Sequence, residues 1–288
     1  MRILAGIFVY NRPRILAHCL ETVVANTVQP DEILIIDDGS NEETRRVVDS
    51  FLARGHAHLT LIRKGRNRGA AHSWRTLWHH AEFENPEYLF PIEADYIFRP
   101  DAFATVLDVF ENTEHGRHAL GITGYDHPNA YHPHIRDVVF PAGMRDQMGE
   151  DNVNRAALYR SFKSGRHTLQ LASNTCPTSY LKWREIQRTA RTVPEMRRHL
   201  LEIGDPQENP NYPDSGIYRA KQYTDDGMLS HALSLHWNRC AIANNIDRKA
   251  FAAWLNIQPS VANNITGGGE HTGLPEMSSD GWSPTWPQ

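Results

Sequence analysis

Over the first 125 residues, short unbroken apolar runs alternate with stretches of helical periodicity, and several of the runs stop abruptly at polar clusters. Ile3 to Val9 ends in Tyr10-Asn11-Arg12-Pro13, and Glu32 to Ile36 ends in Asp37-Asp38-Gly39-Ser40. Tyr88 to Ile92 ends in Glu93-Ala94-Asp95-Tyr96; Leu59 to Ile62 and Ala119 to Thr123 are two further runs. Continuous rather than alternating runs of this length mark strands buried on both faces. Between them, Leu16, Leu20, Val23 and Val24 recur at helical spacing, while Gly69 to Phe83 and Ala102 to Phe110 read as further helices. Ser40 or Asn41 can cap the helix after the second run, with Glu42 and Glu43 in its positive first turn. Such alternation predicts an α/β fold: a mainly parallel sheet with helices on both faces, in one large domain.

After Tyr125 the rhythm loosens. Residues 126 to 168 are rich in Pro, His, Asn and Gly and read as loops or an insertion. A short strand over Leu169 to Leu171, a helix from Thr178 to about Thr189 and a helix from Asp225 to His236 are expected next, then an apolar run at Cys240 to Ala243. From Gln258 onward the chain is Pro-, Gly- and Ser-rich, as in a tail or lid. Residues 1–125 thus form one half, 126–257 a looser half, and 258–288 the tail.

Composition removes several classes. With 288 residues, 40% hydrophobic and 22% charged, the chain is neither collagen-like nor disordered. Thirty basic against thirty-four acidic residues give a net charge of −4, so no global field draws it to nucleic acid or anionic membrane. No stretch reaches the roughly 20 apolar residues of a membrane span. Cys19, Cys176 and Cys240 lack metal-ligand spacing and read as reduced thiols. A soluble, cytoplasmic protein is expected.

Open parallel sheets bind ligands beyond the carboxyl ends of their strands, which is where the three polar clusters fall. Glu93 and Asp95, one residue apart, can place oxygens on a hard divalent cation that bridges a diphosphate. Alternate residues of an extended strand point the same way, so the two acids can converge. A carboxylate of Asp37 or Asp38 can accept from a nucleobase ring N–H, and Gly39 lets the chain turn sharply there. Asp225 and Asp226 open an amphipathic helix; they either favour its first turn or serve as a general base. Arg63, Lys64, Arg66 and Arg68 form a basic run that either meets phosphates or is simply solvated. His79 and His80 read as solvated surface, and Trp183, Trp237 and Trp254 as buried aromatics rather than sugar platforms. Neither G-x-G-x-x-G after the first run nor G-x-x-x-x-G-K-[ST] occurs, which disfavours dinucleotide and P-loop readings.

Taken together, Tyr10-Asn11-Arg12-Pro13, Cys19-Leu20-Glu21-Thr22-Val23, Pro30-Asp31-Glu32-Ile33 and Ile36-Asp37-Asp38-Gly39-Ser40-Asn41-Glu42-Glu43-Thr44 resemble the family-two glycosyltransferases of the GT-A (Rossmann-like) fold. The likeness continues through Asn67-Arg68-Gly69 and through Tyr88 to Asp101, and returns weakly at Asp225-Asp226. The resemblance implies inverting transfer of a sugar from a nucleotide-diphosphate donor, commonly a UDP-sugar, with Mn²⁺ or Mg²⁺ as cofactor. It implies a donor site of Tyr10, Asn11, Arg12, Asp37, Asp38, Asn67 and Arg68. Asp95 matches the last acid of the metal-binding D-x-D motif, with Glu93 in place of its first Asp. A distal His completes the metal shell in some relatives, and His236 or His271 could serve. Asp226 matches the second acid of the family's Glu-Asp pair, with Asp225 in place of the Glu, so either can be the base. The acceptor stays open among a glycan, a protein hydroxyl, a small molecule and a hydroxylated nucleic-acid base. A non-catalytic nucleotide- or glycan-binding module and a nucleotidyltransferase are the alternatives.

Overall fold

The computed structural model describes residues 1–56, 58–123, 161–172, 179–192, 237–258 apart from 239 and 249, and 261–264. The first half alternates as the apolar runs predict: β1 (Ile3–Val9), α1 (Pro13–Val24), β2 (Glu32–Asp37), α2 (Glu42–Ala53), β3 (Leu59–Arg63), α3 (Ala70–Glu84) and β4 (Tyr88–Glu93). There follow β5 (Tyr96–Phe98), α4 (Ala102–Asn112), α5 (Glu114–His118) and β6 (Gly121–Thr123). The remaining elements are β7 (Phe162–Ser164), β8 (His167–Ala172), β9 (Ser179–Leu181), α6 (Trp183–Thr192), β10 (Trp254–Gln258) and β11 (Ala262–Asn264).

A nine-stranded sheet of order β3-β2-β1-β4-β9-β6-β10-β8-β7 forms the centre. β1 pairs in parallel with β2 and β4, β2 with β3, and β6 with β10; β9 runs antiparallel to both β4 and β6, and β8 to β10 and β7. The central strands are buried on both faces, which is why their sequences are continuous apolar runs. On one face Ile3, Ala5, Ile7 and Val9 of β1 share a core with Leu16 and Leu20 of α1, Val48 and Phe51 of α2, and Phe103 and Val106 of α4. On the other, Leu4, Leu34 and Leu89 pack with Trp74, Leu77 and Trp78 of α3 and with Trp183 and Ile186 of α6. A Cβ on Gly6 would sit 2.4 Å from a Leu77 methyl, so glycine there lets α3 lie close on β1. The mainly parallel sheet covered on both faces is the architecture expected for the fold class. Among the described residues no helix is long and apolar enough to cross a membrane.

Three local expectations need correction. The segment read as a helix from Thr178 contains β9, and the described helix begins only at Trp183. Neighbours on both sides force Ser179–Leu181 into the sheet, so tertiary pairing overrides local propensity there. The stretch after Gln258 is not wholly tail: Ala262–Asn264 pairs antiparallel with β5. Within the stretch read as loops, Phe162–Ser164 forms β7, while the short strand expected at Leu169 to Leu171 is present as β8; both join the same sheet as β10. Trp183, Trp237 and Trp254 are buried, as read.

Candidate functional site

Register alone brings the polar clusters to one edge. Val9 lies opposite Asp37, Asp37 opposite Arg63, and Phe8 opposite Glu93, so β1 to β4 all end at the same level. The four loops leaving that edge are cross-tied by side chains. Asn11 N–H donates to Ser40 Oγ at 3.0 Å, and Asn11 Oδ1 accepts from Asn41 N–H at 2.9 Å. These bonds bind the loop after β1 to the loop after β2. Asn41 also caps α2, its Oδ1 accepting from Thr44 N–H at 3.0 Å.

Asp37 is fully buried; its Oδ1 accepts from Ser40 N–H at 2.9 Å and its Oδ2 from Arg63 Nε at 3.1 Å. Asp38 ties the loop after β2 to the loop after β3. It accepts from Lys64 Nζ at 2.9 Å, from Arg68 N–H at 3.1 Å and from Gly69 N–H at 2.8 Å. Lys64 also donates to Ser73 Oγ at 2.8 Å, one turn into α3. Burial pushes the Asp38 carboxyl up and the Lys64 ammonium down, while their mutual attraction opposes both shifts. Gly39, at φ 76°, turns the chain so tightly that a Cβ would lie 2.3 Å from the Arg66 carbonyl carbon.

The third tie joins β1 to β4: Arg12 Nη1 donates to Asp95 Oδ2 at 2.7 Å, with side chains only 14% and 7% exposed. Asn11 and Arg12 are consecutive non-glycine residues in the left-handed region, at φ 56° and 62°. Such conformations cost roughly 1–2 kcal/mol per residue outside glycine and gather at functional sites, where the surrounding structure enforces them. Here the Asn11 bonds to Ser40 and Asn41, and the Arg12 carbonyl accepting from Leu16 N–H at 3.0 Å, hold them.

Glu93 closes β4, but Asp95 falls in the turn between β4 and β5, not on an extended strand. Strand alternation therefore does not aim the two acids, contrary to the sequence expectation; Asp95 is buried and Glu93 half-buried. Tyr10, Asn67 and Arg68 are half-buried at the same edge, Asn67 Oδ1 accepting from Gly69 N–H at 2.8 Å. His72, in the first turn of α3, lies beside this cluster. Burial and then the cations Lys64, Arg68 and Arg75 pull it down to about 4, so it is neutral at pH 7.

The sequence reading missed three partnerships: Arg12 with Asp95, Lys64 with Asp38, and the cations around His72. The basic run held a signal for Lys64, yet Lys64 is a buried partner of Asp38 rather than a solvated cation. His80 is not solvated surface either. Its Nε2 lies 2.7 Å from Glu32 Oε1, and Glu32, His80 and Glu84 bring ligand atoms within 4.8 Å of one another. That group sits at the opposite edge, where β2 begins and α3 ends. Asp225, Asp226, His236 and His271 lie outside the described residues.

The sequence model described as glycosyl transferase family 2 matches residues 5–169, more than half of the chain and all of this edge. The chain belongs to glycosyl transferase family 2. Among curated family relatives, an uncharacterized glycosyltransferase of Haemophilus influenzae is 24% identical over 181 residues, 62% of this chain and 57% of that one. The teichoic acid poly(glycerol phosphate) polymerase of Staphylococcus epidermidis is 26% identical over 105 residues, 36% of this chain and 14% of that one. The chain therefore spans well under two thirds of either relative's length. Among solved structures, S. aureus TarS aligns over 81% of this chain and 55% of its own at 12% identity and TM-score 0.46. The mannosyltransferase PcManGT from Pyrobaculum calidifontis, in complex with GDP-Man and Mn²⁺, aligns over 48% and 38% at 19% identity and TM-score 0.39.

Proposed function

We propose that this family-two chain is an inverting glycosyltransferase that takes a sugar from a nucleotide-diphosphate donor, a UDP-sugar in the first instance, held on the carboxyl edge of the sheet. The observation that carries this is the convergence of three polar clusters from β1, β2 and β4 at one edge, each cross-tied to a neighbouring loop by a buried side chain. Ties of that kind fix the loops before a ligand arrives, which lowers the ordering cost of binding. Tyr10 would pack against the base, and the Asp37–Asp38 and Asn67–Arg68 loops would read its edge. Residues 1–125 would hold the donor, and residues from 126 onward the acceptor.

Asp95, whose Oδ2 accepts from Arg12, and Glu93 at the end of β4 would be the carboxylates offered to a hard cation, with the remaining positions left to diphosphate oxygens and water. When bound, Mn²⁺ or Mg²⁺ would stabilise the negative charge developing on the departing diphosphate. Inversion needs one in-line displacement at the anomeric carbon. The acceptor oxygen gives its proton to a carboxylate as the new bond forms and the bond to the diphosphate breaks. Asp226 or Asp225 is assigned that role, and His236 or His271 a metal contact, by the family resemblance alone.

Thermal unfolding with UDP, GDP, dTDP and CDP, each with and without Mn²⁺, tests the reading. A nucleotide at about 100 times its dissociation constant stabilises the native state by roughly 2.7 kcal/mol. That is a shift of several degrees in Tm for a chain of this size. A metal-dependent shift with one nucleotide is expected; no shift with any of the four overturns the proposal.

A further inference from the structure

Past β4 the sheet presents two different surfaces. Tyr180 of β9, Ile122 of β6, Leu255 and Ile257 of β10, and Leu169 and Leu171 of β8 point into the core shared with α1, α2 and α4. The alternate residues of those strands face the α3 side, where Leu181 and Trp254 pack and a Cβ on Gly121 would strike the Trp254 ring at 2.1 Å. Two residues nearer the carboxyl edge, the apolar packing on that side stops. Ser179 stands opposite Thr123, Thr123 beside Asn256, and Asn256 opposite Gln170, whose Nε2 donates to Ser161 Oγ at 2.8 Å. Five uncharged polar residues thus form one row from β9 to the start of β7, a span of roughly 19 Å at the usual strand spacing. Burial deepens along it: Ser161 is exposed, Gln170 and Asn256 are half-buried, Thr123 is 2% exposed and Ser179 0%. The buried end lies towards β4, because Leu181 pairs with Leu89, and Glu93 follows Leu89 on the same face by strand alternation. Thr123 Oγ1, Ser179 Oγ and Gln170 Oε1 are shielded from water without a hydrogen-bond partner, a state folded proteins avoid for nearly all such groups.

We propose that this row is the floor of the acceptor groove, and that the acceptor is an uncharged glycan chain laid across it with its reactive hydroxyl at the β9 end. This rests on the donor-site reading above. Sugar hydroxyls both donate and accept, as Ser, Thr, Asn and Gln side chains do, so the two sets satisfy one another. Recognition of a phosphate polymer or a nucleic acid draws on Lys and Arg, and the row contains neither. Its length exceeds one sugar ring, which favours an extended chain over a small molecule. The exposed end at Ser161 lets the rest of that chain run out to solvent.

The test is binding of the full chain, with and without UDP and Mn²⁺, to an array of neutral oligosaccharides, a single-stranded DNA and a Ser/Thr-rich peptide. At least one oligosaccharide should bind more tightly than the DNA or the peptide. Calorimetric titration with that oligosaccharide then compares the wild type with Thr123→Val, Ser179→Ala and Gln170→Met. Each variant removes one hydrogen bond to the ligand and should weaken binding about three- to tenfold. Thr123→Val and Ser179→Ala each remove a buried hydroxyl that has no partner, so their urea midpoints should hold or rise. A structural role would instead lower the midpoint, and that result overturns the groove. Gln170→Met decides the matter if the two buried variants do not fold. Oligosaccharide binding equal to the wild type's in all three variants, or tighter binding of DNA or peptide, also overturns it. No oligosaccharide binding beside an intact nucleotide shift in Tm overturns the groove and leaves the donor site standing. Glycan binding weakened by the variants without any nucleotide shift removes the donor reading and leaves the row as a glycan site.

Discussion

The two edges of the sheet carry charged networks of similar composition that differ chiefly in how far their cations are withdrawn from water. At the carboxyl edge, Asp37, Asp38 and Asp95 are at most 5% exposed, and Lys64 and Arg12 are drawn in with them. The loops there run through left-handed turns at Asn11, Arg12, Gly39 and Gly69. At the amino edge, Arg2 reaches Glu84 and lies 3.6 Å from Glu32, with its side chain 43% exposed. His80 joins the same group from α3. Exposed ion pairs stabilise a fold weakly, whereas buried ones cost desolvation and are kept where they position something. The amino edge is pinned around a half-exposed cation, whereas the carboxyl edge, the proposed donor site, is cross-tied by buried ones.

The largest effect that would sharpen this contrast is at Asp38. Asp38→Asn leaves Lys64 buried beside an amide and takes a charged acceptor from Arg68 and Gly69 N–H. Breaking one side of a buried pair costs about 3–5 kcal/mol, read as a fall in the urea midpoint. Adding Lys64→Met should recover much of that loss, because the unpaired charge goes with it. A cost below about 1 kcal/mol for Asp38→Asn alone would mean that the carboxyl edge is solvated like its counterpart.

How far each edge could be read in the sequence follows from the same contrast. Strands buried on both faces write themselves as apolar runs, so β1, β2 and β4 and the polar clusters at their ends are legible, as is Asn41 as a cap; β3, half-buried at the sheet edge, is legible from its apolar run alone. Contacts between loops leave no such trace. Arg12 and Asp95 are 83 residues apart and meet only because β4 inserts beside β1. In the sequence Lys64 is one of four cations that either meet phosphates or are solvated; the fold sets it against Asp38 instead. β5 and β11 pair across more than 160 positions, and each is three residues long, too short for periodicity to mark.

A middle-sized effect concerns His72, which burial and then the cations of the carboxyl edge hold at about 4 against an ordinary value of 6.5. Its folded value lies below its unfolded one, so the unfolded chain takes up the proton first as pH falls. The contribution of His72 to stability is therefore complete above about 6.5 and is lost between there and about 4. The ring is only partly buried, and after allowance for solvent screening the loss between pH 7.5 and pH 5 is about 1 kcal/mol. His72→Gln removes the titrating group, so its urea midpoint should fall less over that interval than the wild type's. Identical pH slopes would show that burial and the cation cluster do not depress His72.

The smallest effect is expected at the amino edge, and it is the one that could undo the comparison. Arg2→Met keeps an apolar stem and removes the cation shared by Glu84 and Glu32. The lost pairs are partly solvated, so the cost should stay below about 1 kcal/mol. Glu32 retains His80 as a neighbour, which limits the cost further. The edge is also remote from the loops of the proposed donor site, so any metal-dependent nucleotide shift in Tm should match the wild type's. If Arg2→Met instead costs as much as Asp38→Asn, the amino-edge group is a buried network in energetic terms despite its exposure. If the nucleotide shift falls while stability holds, α3 couples the two edges, because it carries His80 and Glu84 at one end and His72 and Ser73 at the other.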